Sequence, residues 1–265
     1  MRITVFTSNQ PRHLALLERL AAVADEVYAL QECNTVFPGQ VQDFFRKSPV
    51  MQAYFARVID AETQVFGRPR FAPPNVRQLP VKMGDLSRVP LESLAPALLA
   101  DLYVVFGASY IKGPICDHLC AHDAVNIHMG VSPYYRGSST NFWAMYDDQP
   151  QFVGATIHRL SCGLDSGPML FHAFPTPRAV DPFVYGMLCV RAAHEALAAH
   201  VAAGDLLDLA PTPQDRSREL RYTRNADFTD EVAADYLARV PTPDQLHAAL
   251  LQRDPALFLR ERLVP

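Results

Sequence analysis

No stretch of this sequence stays apolar for the roughly 20 residues that a bilayer-spanning helix needs, so no membrane association is expected. The opening MRITVFTSNQ reads as a strand followed by a polar turn and not as a secretory leader. Cysteine is sparse. Cys33, Cys116, Cys120, Cys162 and Cys189 are odd in number and lack paired spacing, which favours reduced thiols in a cytoplasmic protein over a disulfide framework. An excess of one charge is also missing: 24 Lys and Arg stand against 28 Asp and Glu. That balance generates no strong attraction for a polyanion, so nucleic acid is not an expected partner. Repeats at solenoid spacing and low-complexity tracts are lacking as well.

What remains is a globular composition, 49% apolar and 20% charged over 265 residues, long enough to bury a sizeable core. Residues 2–7, RITVFT, form a β-prone run, and PRHLALLERLAAVA follows with Leu14, Leu17, Leu20 and Ala21 at helical spacing. EVYAL is a second strand, giving the βαβ opening of a parallel sheet covered by helices. Residues 33–80 are less regular. They contain a helix opened by Ser48 and Pro49, which the proline-rich GRPRFAPPNVRQLP then breaks. LESLAPALLA and DLYVVFG repeat the helix-then-strand unit, and AVNIH and VGATIHRL supply further strands.

Asp181, Pro182 and Gly204 bound the clearest helix of the chain. A catalytic domain over 1–204 and a short helical appendage over 205–265 are expected. In the appendage, helices begin near Thr229 and at Thr242, where Gln245 completes a capping box.

The alternation in CDHLCAH, Cys116, His118, Cys120 and His122, fits no common zinc spacing. Cys116 and Cys120 share a helix face, where free cysteine acts as a small buried hydrophobe. No metal is expected.

The informative stretch is NIHMGVSPYYRGSSTNFWAMYDD. In an extended segment, period two puts Asn126 and His128 on one face and Val125 and Ile127 on the other, at the carboxyl edge where open α/β sheets bind ligands. An isolated N-x-H triplet more often stabilises a turn. Here SPYYRG leads the chain away as an ordered loop, and GATIHRLSCGLDSGPML brings Asp165 between two glycines. An amide donor for an oxyanion, an imidazole to move a proton and a carboxylate to orient it suit acyl transfer.

The order N-I-H, S-P-Y-Y-R-G, G-A-T-I-H, L-D-S-G resembles the catalytic core of the formyltransferases that use N10-formyltetrahydrofolate, most specifically over 101–170. The resemblance implies an α/β fold with an open, mostly parallel Rossmann-like sheet. It implies that Asn126 donates to the formyl oxygen, His128 carries a proton and Asp165 holds the imidazole. It also implies a pterin slot made by main-chain groups of Ser109, Tyr110, Ile111 and Lys112 and of Cys162, Gly163 and Leu164. Several relatives carry Pro-Ser after the N-x-H triplet, whereas this chain has Met129 and Gly130.

The stretch is most similar to the members that formylate nucleotide-linked amino sugars such as GDP-perosamine, for surface polysaccharides. Asn9 and Arg12 are candidates for the acceptor's phosphates, and Tyr134, Tyr135 and Trp143 for stacking on sugar or base. A solvated surface Arg12 and aromatics that merely pack are the plain alternatives. A homodimer is the assembly carried as an expectation. Methionyl-tRNA or glycinamide ribonucleotide as acceptor, a formyltetrahydrofolate hydrolase and a non-catalytic sugar-nucleotide-binding module are the competing readings.

Overall fold

The computed structural model describes residues 1–33 and 47–265, so part of the irregular stretch after Cys33 lies outside the described residues. The strands are β1 (Arg2–Ser8), β2 (Glu26–Cys33), β3 (Val76–Lys82), β4 (Leu102–Val105), β5 (Val125–His128), β6 (Tyr135–Gly137), β7 (Ala155–Arg159), β8 (Met169–Pro175), β9 (Arg221–Thr223) and β10 (Arg262–Val264). The helices are α1 (Pro11–Ala21), α2 (Pro49–Phe66), α3 (Pro114–Ala121), α4 (Thr140–Tyr146), α5 (Pro182–Ala203), α6 (Asp230–Arg239) and α7 (Pro243–Leu250).

Eight strands form one sheet in the order β10-β8-β7-β5-β4-β1-β2-β3, and β6 pairs with β9 in a small separate ladder. Only β7 runs against the other seven: it is antiparallel to both β5 and β8. The expected open, mostly parallel sheet is therefore present.

The central strands are apolar because both faces are covered. On one face Leu16, Leu17 and Leu20 of α1 and Val190 and Leu197 of α5 meet Val5, Val104 and Ile157. On the other, Ile115 and Leu119 of α3 meet Phe6, Leu30 and Tyr103. Burying a Leu side chain contributes about 1.5–3 kcal/mol, so Leu17→Asp would lift α1 from the sheet.

A second core is aromatic. Tyr54, Trp143, Phe174, Tyr185 and Tyr236 gather α2, α4, α5 and α6, with Leu246 and Phe258 added from the last part of the chain. Residues 205–265 are not helical throughout: they add β9 and place β10 beside β8 at the sheet edge.

Local start signals hold where the caps predict them. The side chains of Ser48, Asp181, Thr229 and Thr242 accept from Met51, Phe183, Val232 and Gln245 N–H. Two other expectations fail. LESLAPALLA forms only a short 3-10 turn over Leu91–Leu94, because Pro96 cannot continue a helix. VRQLP, read as part of a break, enters β3, where the edge position of the strand tolerates Pro80.

Candidate active site

The carboxyl ends of β1, β4 and β5 open into a cavity of about 390 Å³, within the range of small-molecule pockets. Ser8, Gln10 and His13 line it from the first βα turn, Phe106 to Ile111 from the end of β4, Asn126 to Met129 from β5, and Ser161 and Gly163 to Asp165 from the loop after β7.

Asn126, His128 and Asp165 converge on its floor. Asp165 Oδ2 lies 3.4 Å from His128 Nδ1, and Asp165 Oδ1 accepts from Asn126 Nδ2 at 3.3 Å. His128 is 7% exposed, and its Nε2 has no hydrogen-bond partner among the described residues. An orphaned imidazole nitrogen in a polar cavity is the mark of a site that completes itself with a ligand. Burial pushes the Asp165 carboxyl up, but the neighbouring His128 pulls harder and holds it well below the usual carboxylate range.

His158 is the residue that sequence reasoning missed, although GATIHRL contains it. Its Nδ1 donates to the Arg159 carbonyl at 2.8 Å, which leaves Nε2 as an acceptor for Asn126 Nδ2 at 2.9 Å. The backbone thereby fixes the imidazole tautomer, and the tautomer fixes which way the amide points. No local signal marks it: what sets His158 opposite Asn126 is the antiparallel pairing of β7 with β5, which joins segments 32 residues apart.

Asp165 has a left-handed backbone, φ +43°, uncommon for a residue with a side chain. Gln214, between α5 and β9, holds that turn by donating to the Asp165 and Gly167 carbonyls at 2.8 Å each. Gly130, φ +155°, sits where a Cβ would be 2.1 Å from Thr140 Oγ1 and 3.0 Å from His128 Nε2. A side chain there would crowd the reacting corner. Gly107, φ +66°, similarly lets His13 lie against the backbone, where a Cβ would be 2.3 Å from its Nε2.

The residues expected to form the pterin slot divide. Ser109, Tyr110, Ile111, Gly163 and Leu164 line the cavity, whereas Lys112 and Cys162 do not. Ser109 N–H and Oγ are already committed to Glu32, at 2.6 and 2.8 Å, and Gly84 N–H donates to the same buried carboxylate. Lys112 N–H donates to Ser87 Oγ, and the Cys162 carbonyl accepts from Tyr110.

The acceptor candidates divide more sharply. Arg12 lines the cavity, and its Nη1 donates at 2.8 Å to Glu62, which is 2% exposed, so it is not a solvated surface charge. Asn9, at the end of β1, lies outside the lining. Tyr134 and Tyr135 are core residues: their hydroxyls bond the Leu257 carbonyl and Asp147, and Trp143 is packed beside them. Their apolar rings fill the second core, so they offer no face to a ligand.

Other aromatics do so. A second cavity, about 370 Å³, lies between α2, α4, α5 and α6 and is lined by Tyr54, Phe55, Phe142, Phe183, Phe228 and Tyr236 among others. It shares Arg12, Met129 and Ser139 with the first.

No protein-family model matches the chain. Among characterised sequences the chain is similar to the methionyl-tRNA formyltransferase of Thermosynechococcus vestitus, 32% identical over 104 residues, covering 39% of this chain and 28% of that protein. Across such relatives the match spans 28% to 45% of their length. Among solved structures it is similar to the formyltransferase PseJ of Anoxybacillus kamchatkensis, in complex with UDP-4,6-dideoxy-4-formamido-L-AltNAc and tetrahydrofolate. The TM-score is 0.51 at 16% identity, covering 94% of this chain and 97% of that one. A 4-N formyltransferase from Francisella tularensis gives 0.51 and 16%, covering 95% and 86%. The fold is the formyltransferase fold.

Proposed function

We propose that the chain is an N-formyltransferase that moves the formyl group of N10-formyltetrahydrofolate to the primary amine of a nucleotide-linked 4-amino-4,6-dideoxy sugar, GDP-perosamine or a close analogue, for surface polysaccharide. One observation carries the reading. An ionised carboxylate lies 3.3 Å from an amide and 3.4 Å from an imidazole whose other nitrogen is buried and unpartnered, all three lining a ligand-sized cavity.

The chemistry follows from those atoms. As the amine attacks, negative charge grows on the formyl oxygen, and donors preorganised for it lower the barrier. Both hydrogens of the Asn126 amide are engaged, by His158 at 2.9 Å and Asp165 at 3.3 Å. The longer bond to Asp165 is the one exchanged for the oxyanion, while His158 keeps the amide in place. The His128 Nε2 corner faces the same point and serves the proton transfer, with Asp165 stabilising the imidazolium. The folate supplies an activated formyl group on an arylamine leaving group.

The donor occupies the polar cavity beside Tyr110, Ile111 and Leu164. The acceptor enters from the aromatic cavity, where Tyr54, Phe142 and Phe228 supply stacking faces and Arg12, fixed by Glu62, stands at the junction for a phosphate. Two fold neighbours support the sugar class: one was solved with a UDP-linked 4-formamido-4,6-dideoxy sugar, and the other is a 4-N formyltransferase.

The second reading, methionyl-tRNA as acceptor, is favoured by the names of the sequence relatives. Incubation with formyl-labelled donor and a panel of GDP-, UDP- and dTDP-linked amino sugars and methionyl-tRNA decides between them by mass spectrometry of the product. An N-formyl sugar supports the proposal, N-formylmethionyl-tRNA replaces it, and release of formate alone assigns a hydrolase. No turnover with any acceptor assigns a binding module.

A further inference from the structure

Three thiols from two separate segments meet beside the loop that carries Asp165. Cys116 and Cys120, one turn apart on α3, have their sulfurs 4.0 Å apart, and Cys162 of the loop brings its sulfur to 3.9 Å from that of Cys116. All three sulfurs lie within 4.8 Å of one another, the only such group of three His, Cys, Asp or Glu side chains among the described residues. The histidines that alternate with these cysteines are elsewhere. His118 and His122 stack on each other at 4.2 Å and turn toward Tyr103, so the sequence motif and the spatial cluster share only two members.

The spacing is that of a ligand set. A disulfide needs sulfurs about 2.0 Å apart, and these are free thiols. An ion bonded to sulfur at about 2.3 Å spaces its ligands about 3.8 Å apart in a tetrahedron and about 4.0 Å apart in a trigonal plane. Two edges of the sulfur triangle already have these lengths, and the third, at most 4.8 Å, closes by about 1 Å or less. Cys116 is buried, Cys120 half-buried and Cys162 exposed, which leaves an entry path on the loop side.

We infer that Cys116, Cys120 and Cys162 form a binding site for a thiophilic metal ion of the zinc, cadmium and copper(I) class, and that the bound ion ties the loop before Asp165 to α3. Each thiol loses its proton to solvent as its sulfur bonds the ion, so a divalent ion enters with release of three protons and leaves a fourth position for water. Two ligands on one helical turn are rigid; the third is on the loop. Binding therefore restrains residues 161–165, whose other ties include the Tyr110 hydroxyl on the Cys162 carbonyl, the Ser161–Ser166 bond, Gln214 on the Asp165 carbonyl and Asn126 and His128 on its carboxylate.

The test uses the full chain, reduced and freed of metal with a chelator, titrated anaerobically with cobalt(II) and separately with cadmium(II). About one equivalent should bind with a sulfur-to-metal charge-transfer band, zinc should displace cobalt, and hydrogen exchange at residues 161–165 should slow. Cys162→Ser, at an exposed position, should weaken binding at least about tenfold, Cys120→Ser similarly, and Cys33→Ser should leave it unchanged. Absence of the band, a band that survives Cys162→Ser, or exchange unaltered by a bound ion would overturn the assignment. So would reoxidation to a disulfide between Cys162 and α3 in a protein that takes up no metal when reduced.

Discussion

The two cavities that meet at Met129 are built on different physics. The first opens at the carboxyl edge of the sheet, and several of its polar groups hold one another while His128 Nε2 stays unpartnered: Asn126 is held by His158, Asp165 by His128, Ser109 by Glu32. The second lies between helices and is walled by aromatic rings packed edge to face, such as Tyr54 on Phe55 and Phe142 on Phe228. Those bonds fix the directions of the first cavity's polar groups, as chemistry requires. The second offers area and stacking, which favour binding over bond-making. A reaction between two substrates needs one of each, joined at a common point, and Arg12, Met129 and Ser139 are that junction.

If this division of labour is right, damage to each cavity should register in a different constant. The largest effect is expected on the polar side. His128→Asn or Asp165→Asn should lower turnover by about 10²–10⁴-fold while folate binding, measured by calorimetry, changes little. Turnover within tenfold of the parent would remove both from the mechanism.

Phe228→Ala, which touches only the aromatic cavity, should raise the acceptor KM about tenfold, in keeping with loss of a stacked ring worth about 1–1.5 kcal/mol. Folate affinity and kcat should stay near parental values. A change confined to folate would reverse the assignment of the two cavities.

His158 should sharpen the contrast further. His158→Phe leaves the Asn126 amide without its acceptor, and kcat should fall about fivefold with both KM values unchanged, since a hydrogen bond of this kind is worth about 1 kcal/mol. His158→Gln, whose carbonyl can accept from the same amide, should recover part of that loss.

The smallest effect concerns stability on the aromatic side. His172 is fully buried, with Nε2 donating to the Ser132 carbonyl and Nδ1 accepting from Leu259 N–H. Burial, opposed in part by the Ser132 carbonyl, lowers its pKa to about 4. A histidine whose folded value lies below its unfolded value of about 6.5 stabilises the fold fully above pH 6.5, and that contribution is lost as pH falls toward 4. The loss amounts to about 3 kcal/mol. Thermal melts from pH 7.5 to 4.5 should therefore show a falling Tm, with a shallower slope in His172→Gln. His13 and His194, also buried and held low, keep that slope from vanishing. Equal slopes in parent and variant would contradict the role of His172.

Much of the fold was legible from short-range rules. Ser48, Asp181, Thr229 and Thr242 cap helices because each rule involves residues two or three apart. Period two places Asn126 and His128 on one face of β5. The failures were of another kind. Tyr134 and Tyr135 follow the N-x-H triplet closely, yet their rings fill the second core, because a large apolar side chain gains more from burial than from a loop's edge. Arg12 was ambiguous until Glu62, 50 residues away, was seen to hold it.

By itself, then, the sequence determined where the capped helices begin, the βαβ opening of a parallel sheet, and the amide, imidazole and carboxylate set at its edge. These depend on neighbours within a turn or a strand repeat. Tertiary structure alone decided that His158 aims the amide, that Glu32 occupies the Ser109 donors, that Cys162 joins Cys116 and Cys120, and which aromatic rings face a ligand. Each of those depends on which side chains win a place in a close-packed interior, and that competition is settled between segments far apart in the chain.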